Sequence, residues 1–332
     1  MRACLRLDPT TYCWSCAVTE CPICSCESDS AFQLYDDRYG YPGRFWLMHC
    51  TECDHRFLQG ADFSDTQIQA LYSDYYPRRS MRPEDYSADV ERSGFAAWLD
   101  GAKASAFRWV PREVKVLDIG CGFGQALGYH ANRGCEVWGV ESDENIRRIA
   151  DLHGFKVRVG VFKPEEFPQE YFDVVTMDQV IEHMKDPIGT LAGVRKVLKP
   201  DGIAILSTPN AAGWGARVFG RRWINWHAPY HLHFFTRRSM KFAVNRAGLV
   251  AEPLGTVTSS EWLNYQWIHL ATRPGPGQPS MFWTNAGDYN PSGRTALRIA
   301  SLLHRTKVDH LLTRLFDALG IGDSQLFALR RK

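Results

Sequence analysis

The spacing of apolar and polar positions changes character along this chain, and each change marks a boundary. From Val114 onward, short apolar runs alternate with amphipathic stretches. "VKVLDIG" reads as a strand, "GQALGYHANRG" as a helix closed by Gly134, "EVWGVE" as a second strand and "DENIRRIADLHG" as a helix closed by Gly154. "KVRVG" and "FDVVTM" read as the third and fourth strands, "IGTLAGVRKVLKPDG" as a helix with a glycine stop, and "IAILSTP" as the fifth strand. Residues 249–258 and 324–330 supply the sixth and the last. The pattern predicts an α/β fold built on a doubly wound, mostly parallel seven-stranded sheet. Ligands of such sheets bind beyond the carboxyl ends of the strands, at the switch point.

The flanking segments follow other periods. Residues 61–110 turn helical, with Phe95, Trp98, Leu99 and Ala102 at helical spacing in "SGFAAWLDGAKASAFRWV" and a hinge around Pro83. Tyr75 and Tyr76 are placed either to reach a ligand or to pack. Before them, "FQLYDDRYGYPGRFWLMHC" alternates around a Tyr-Pro-Gly turn and "HRFLQG" adds a short strand, the period of a small antiparallel sheet. The expected organisation is an extension over 1–18 that is poorly ordered, a strand module over 19–60, and a helical linker or cofactor cover over 61–110. The main core follows over 111–258 with 323–332, interrupted by a loop and helical insertion over 259–322. That insertion is suited to lid the site, to pair with a partner chain or to touch a membrane surface.

Composition narrows the function. Hydrophobic residues make up 45% of the 332 positions, enough for a sizeable core. No apolar run approaches the roughly 18 residues of a membrane span, and the polar start "MRACLRLDPTTYCWSC" lacks a secretory centre, so a cytoplasmic protein is expected. A net charge of +2 gives no electrostatic footprint for nucleic acid, and the clusters "FGRRW" and "LRRK" read as solvated surface.

Cysteines change the picture. Eight of the ten lie within the first 53 residues, including the paired turns "CPIC" and "CTEC". In a reducing compartment, Cys21, Cys24, Cys50 and Cys53 suit a closed tetrahedral Zn²⁺ site with a structural role, which makes the strand module a zinc ribbon. Cys13 and Cys16 in "CWSC" either substitute for the first pair or hold nothing; the proline after Cys21 favours Cys21 and Cys24. A set of free thiols or a redox pair is the competing reading. A ribbon of this size has little core of its own without the metal.

The turn after the first core strand carries Gly120, Gly122 and Gly124 as G-x-G-x-G, preceded by Asp118. A dinucleotide fingerprint spaces its last glycine one residue further on. An acidic residue at the strand end opposes a pyrophosphate but suits a cofactor with an ammonium group or a cationic centre. Glu141, at the end of the second strand, can accept hydrogen bonds from both hydroxyls of a ribose.

"VLDIGCGFG", "VWGVES", "FDVVTMDQVIEHMKDP", "LKPDGIAILSTPN" and "HLHFFTRRSMKFAVNRAGL" together resemble a class I S-adenosylmethionine-dependent methyltransferase. More narrowly, residues 19–258 and the final "SQLFALRR" resemble bacterial methyltransferases with an N-terminal zinc ribbon, associated with sugars and polysaccharide assembly. The resemblance implies S-adenosyl-L-methionine as cofactor. Gly120, Gly122 and Gly124 then pass beneath its methionine part beside Asp118, and Glu141 takes the ribose. Val161 and Phe162 frame the adenine, where the family often has a polar residue, and Asp178 and Gln179 face the methyl donor.

Methyl transfer requires in-line alignment, and a hydroxyl acceptor also needs a base, for which histidine is the usual group. His183, His227, His231 and His233 lie on segments expected at the carboxyl end of the sheet. By resemblance to sugar-modifying relatives His231 is the first candidate base, followed by His233 and His183; the competing reading is that these imidazoles only fix the loop. Glu182-His183 also resembles part of a metal cluster in quinone O-methyltransferases, but Gln179 replaces a glutamate expected there, so no catalytic metal is expected. Trp223 and Trp226 are candidates to stack on a ligand, and Arg221 and Arg222 to pair with a phosphate. The expected activity is methylation of a small molecule, a sugar or glycan precursor. The rivals are an RNA methyltransferase whose ribbon grips RNA, and a non-catalytic cofactor-binding module.

Overall fold

A computed structural model describes residues 19–61, 63, 64, 67, 71–76, 83–284 and 291–332. Cys13, Cys16 and the extension over 1–18 lie outside the described residues. In chain order the elements are β1 (Thr19–Glu20), β2 (Glu27–Leu34), β3 (Phe45–Cys50), β4 (His55–Gln59), α1 (Gly94–Leu99), β5 (Lys115–Ile119), α2 (Gln125–Ala131) and β6 (Glu136–Glu141). There follow α3 (Ile146–His153), β7 (Lys156–Val159), β8 (Phe172–Asp178), α4 (Pro187–Val197), β9 (Leu198–Pro209), α5 (Trp214–Phe219) and β10 (His233–Phe234). The chain ends with α6 (Arg237–Arg246), β11 (Leu249–Val257), α7 (Ser260–Thr272), α8 (Pro291–Thr306), α9 (Val308–Ala318) and β12 (Ser324–Arg331).

The seven-stranded sheet runs β11-β12-β9-β8-β5-β6-β7. Strands β5 to β9 pair in parallel, and β12 lies antiparallel between β9 and β11. Val116, Leu117, Ile119, Val174, Val175 and Met177 are all buried, as expected of central strands covered on both faces. Strand order reverses between β5 and β8, so the connections leaving these neighbours diverge and open a crevice at their carboxyl ends.

Two expected helices are shorter in the structure. The one read through "LKPDG" stops at Val197 and its tail becomes the start of β9. Pro200 explains this, because its ring clashes with the carbonyl four residues earlier in a helix. The run over 93–110 splits into α1 and two short 3₁₀ turns, Ala102–Ala104 and Ala106–Trp109. Gly101 breaks it with φ +68, and a Cβ there would lie 2.3 Å from the Thr258 carbonyl oxygen. The expected apolar face is consequently turned outward: Phe95 is 69% and Trp98 52% exposed, and Ala97 is the buried residue of α1.

The cysteine-rich strands form a second sheet, β1-β2-β3-β4-β10, whose last strand comes from the far side of the sequence. His233 pairs with Phe57 and Phe234 with Arg56, antiparallel. Ile23, Met48, Cys50 and Phe57 belong to the same buried cluster as Phe235, Met240 and Val244. The module does not stand alone with a minimal core; it shares one with α6 and the main sheet.

Candidate functional site

The glycine turn sits in the crevice. Gly120, Gly122 and Gly124 all take positive φ, at 76°, 54° and 79°. Gly120 N and Cys121 N donate to the Val140 carbonyl at 2.8 and 3.0 Å, pinning the turn to the end of β6. A Cβ at Gly120 would meet Val180 at 2.5 Å, whereas one at Gly122 would project into open space. Gly122 N donates to Glu141 Oε2 at 2.9 Å, and Glu141 Oε1 accepts from Asp143 N at 2.9 Å and Ser142 Oγ at 3.1 Å. The carboxylate is thereby held beside the turn with lone pairs to spare. Tyr86, from the segment read as a cover, donates its hydroxyl to the Gly124 carbonyl at 2.9 Å, a contact not anticipated from sequence.

Behind the turn lie two carboxyls, Asp118 buried and Asp178 half-buried. Burial pushes Asp118 up to about 7, against a 2.6 Å hydrogen bond donated by Thr176 Oγ1, with Asp178 and Glu141 adding repulsion. Asp178 is raised by burial as well, while accepting from the Ser207 hydroxyl. Gln179, at φ +57, donates through Nε2 to Ser207 Oγ at 3.0 Å. A positive centre in front of these carboxyls restores their ionised form, so the donor set fits a cationic cofactor. Val161 is 71% exposed beyond β7. Phe162 is partly buried and packs against the core, its ring 5.8 Å from Phe167.

The histidines separate into two groups. His183 Nδ1 lies 2.9 Å from the Tyr230 carbonyl and His231 Nδ1 2.8 Å from the Asn225 carbonyl. A carbonyl only accepts, so each Nδ1 carries the proton and each Nε2 presents a lone pair. The two rings meet edge to face with centroids 4.6 Å apart. Burial pushes His183 down to about 4 and His231 well below the ordinary histidine range, so both stay neutral. Glu182 is fully buried: Oε2 accepts from Thr208 Oγ1 at 3.0 Å, Oε1 has no hydrogen-bond partner, and desolvation pushes the carboxyl up to about 8. Donor atoms of Glu182, His183 and His231 all lie within 4.8 Å of one another, a carboxylate-plus-two-imidazole set of the kind that takes a divalent cation. His227 stacks on Tyr230 with centroids 4.8 Å apart.

His233 is elsewhere. Its Nδ1 lies 3.1 Å from His55 Nε2 at the seam between the two sheets, and burial lowers it to about 4. This placement corrects its reading as an alternative base. Trp223 and Trp226 are corrected too: they are 1% and 5% exposed, pack edge-on at 4.9 Å, and donate their indole N–H groups to Asp323 Oδ1 and the Gly220 carbonyl. They are core, with no face left for a ligand. Arg221 and Arg222 stay exposed. Tyr75 and Tyr76 pack edge-on against Tyr41 and Tyr39 at 5.0 and 5.1 Å.

Sequence reasoning passed over Arg38. It is 2% exposed, donates to the Ile224 carbonyl, lies 4.6 Å over the Trp283 ring, and its charge depresses His183, His227 and His231. The neighbouring Asp36 carboxylate accepts from the backbone of Arg38, Tyr39 and Tyr41, each at 2.9 Å, so "YDDRYG" is a buried charged turn. Three consecutive charges inside an aromatic run were the available signal.

The four cysteines converge. Cys21 and Cys53 sulfurs lie 3.5 Å apart, Cys24 and Cys50 3.4 Å apart, and all four lie within 4.8 Å of one another. Four sulfurs about 2.3 Å from one tetrahedral ion stand roughly 3.8 Å apart, so the set fits zinc. The Ile23 N–H points to the Cys21 sulfur at 3.4 Å, and the Cys53 thiol holds Cys21 down to about 5. Clefts of ≈ 140 Å³ beside Asn210 and Gln325 and ≈ 280 Å³ beside Tyr35 and Arg273 include no residue of the glycine turn.

The chain is similar to known methyltransferases. A methyltransferase-domain family model matches residues 75–254. A ubiquinone biosynthesis O-methyltransferase of Histophilus somni (strain 2336) is 30% identical over 174 residues, 46% of this chain and 73% of the relative. One from Thiobacillus denitrificans is 30% identical over 169 residues, again 46% and 73%. A SAM-dependent methyltransferase structure from Archaeoglobus fulgidus covers 68% of this chain and 88% of its own at 18% identity, with a TM-score of 0.41.

Because Trp223 is packing, Trp223→Phe is expected to cost about 1–3 kcal/mol by removing the indole N–H donated to Asp323 while leaving cofactor affinity unchanged. Denaturant unfolding beside calorimetric titration checks both halves.

Proposed function

The chain belongs to the methyltransferase-domain family and is a class I S-adenosylmethionine-dependent methyltransferase, and from that premise we propose that it methylates a hydroxyl of a small-molecule acceptor. The observation carrying this reading is the pair of neutral imidazoles, His183 and His231, whose Nδ1 protons are tied to backbone carbonyls. Such a group accepts a proton at Nε2 without first having to lose one. His231 takes the acceptor's proton and His183 orients the hydroxyl, with Glu182 behind them.

S-adenosylmethionine supplies a methyl on a positive sulfur. Glu141 receives the ribose hydroxyls, Gly122 leaves room for the methionine part, and Asp118 and Asp178 set a negative field behind it. Val161 lies against the adenine. The O-methyltransferase names of the relatives support oxygen as the acceptor atom. They speak of ubiquinone biosynthesis and lend nothing to the sugar acceptor expected from the ribbon-bearing resemblance, so the acceptor is proposed only as a hydroxyl compound. Glu182, His183 and His231 favour a second reading, in which the same three side chains hold a divalent cation that acidifies that hydroxyl. Cys21, Cys24, Cys50 and Cys53 hold a structural Zn²⁺.

Glu141→Ala removes two charge-assisted hydrogen bonds and is expected to weaken cofactor binding by about ten- to a hundredfold; unchanged affinity in calorimetry removes the ribose assignment. Metal analysis should find one zinc per chain, lost in Cys50→Ser, and a folded wild-type protein without metal sinks the zinc site. The function itself is tested with methyl-labelled cofactor and a cell extract split into small-molecule and RNA fractions. Label in the small-molecule fraction, falling about a hundredfold or more in His231→Ala, supports the base. Loss of label after chelation, restored by magnesium, selects the cation reading; label only in RNA overturns the acceptor class.

A further inference from the structure

Beyond residues 75–254, which the family model matches, α8 and α9 form a feature that methyl transfer does not use. On α9 and at its C-cap, Val308, Leu311, Leu312, Leu315 and Leu319 are 54–64% exposed, although their spacing of three and four residues is that of a core-facing stripe. On α8, Ile299 and Leu302 are 56% and 54% exposed. Arg314, on the inward side of α9, donates to the Trp98 carbonyl at 3.0 Å, which brings α1 with its exposed Phe95 and Trp98 alongside. Surface of this extent is rare on proteins that leave it in water.

Charge selects the occupant. Among the described side chains of α8 and α9, the exposed charged residues are Arg298 and Arg305. Both carboxylates of α9 point inward: Asp309 accepts from Trp267 Nε1 at 3.0 Å and Asp317 from Thr258 Oγ1 at 2.9 Å. Lys307, between the two helices, is paired with Asp100. The apolar stripe is thus accompanied by cations alone, the pairing found on helices that lie in the interface of an anionic bilayer. Arginine stems run along apolar surface while the guanidinium reaches the headgroups, and Trp98 has the amphipathic ring favoured at that depth. No helix among the described residues is long and apolar enough to cross a membrane.

We propose that α8, α9 and the adjoining α1 form a peripheral docking face for anionic lipid bilayers, with the leucine stripe of α9 inserted at the headgroup boundary. This inference stands independently of the acceptor chemistry.

The test is vesicle flotation of the full chain with phosphatidylcholine, with and without phosphatidylglycerol. Binding to the mixed vesicles is expected, weakened by salt, and at least about tenfold weaker in Leu311→Glu/Leu315→Glu. Both substituted positions are exposed, so circular dichroism and cofactor affinity should match the wild type and exclude misfolding as the cause. Sedimentation velocity supplies the opposing outcome. A wild-type dimer that the double variant dissociates, without vesicle binding, assigns the face to a second copy and overturns the proposal. A monomer that ignores vesicles, or binding indifferent to the substitutions, overturns it as well.

Discussion

The antiparallel pairing of His233 and Phe234 with Phe57 and Arg56 ties the segment between α5 and α6 to the cysteine-bearing sheet. It brings the segment between α5 and α6 across the ends of the main strands. Everything in that segment is then held at both ends. Leu232 N donates to the Glu182 carbonyl at 2.8 Å and Leu58 N to the Leu232 carbonyl at 3.0 Å, so the turn after β8, the loop and β4 form one backbone ladder. His183 and His231 owe their orientation to this ladder, since the carbonyls they bond belong to Tyr230 and Asn225.

Backbone carbonyls do something that side-chain partners do not: they cannot change protonation state. An imidazole hydrogen-bonded to a carboxylate gains basicity, whereas one bonded to a carbonyl keeps its tautomer while burial lowers its proton affinity. The site thus combines fixed orientation with modest basicity. If these imidazoles act as the proposed base, modest basicity suits a proton that leaves as the acceptor oxygen is consumed, with alignment supplying much of the acceleration. The buried Arg38 reinforces this by opposing any further positive charge among the three histidines it influences.

How much was legible in the sequence follows the range of the interactions. The order of core strands and helices and the glycine turn are local patterns, and Glu141, read at the end of the second strand, stands there with its carboxylate 2.9 Å from Gly122 N. The paired cysteines were equally readable, because each turn is local and only their meeting is not. Long-range contacts broke the other readings. Trp223 looked like a stacking ring in a glycine-rich loop because the carboxyl that claims its N–H, Asp323, lies a hundred residues away. His233 looked interchangeable with His231 until His55, from the opposite end of the chain, took its nitrogen. The helix over 93–110 obeyed its period only as far as Gly101, where close approach of the Thr258 backbone outweighed propensity.

The shared core of the cysteine strands has a thermodynamic consequence. Cys21, Cys50 and Cys53 pack in one cluster with residues of the main sheet, and Arg246 of α6 donates to the Ile23 carbonyl at 2.7 Å. Two units with a common interior unfold as one, so a ligand of either adds its binding free energy to the stability of both. An ion held by the four thiols thereby raises the cost of opening the cofactor crevice, and a cofactor in the crevice slows release of the ion. With an ion on the four thiols, the two sites would be thermodynamically linked through the fold, and metal supply would bear on how long the enzyme survives.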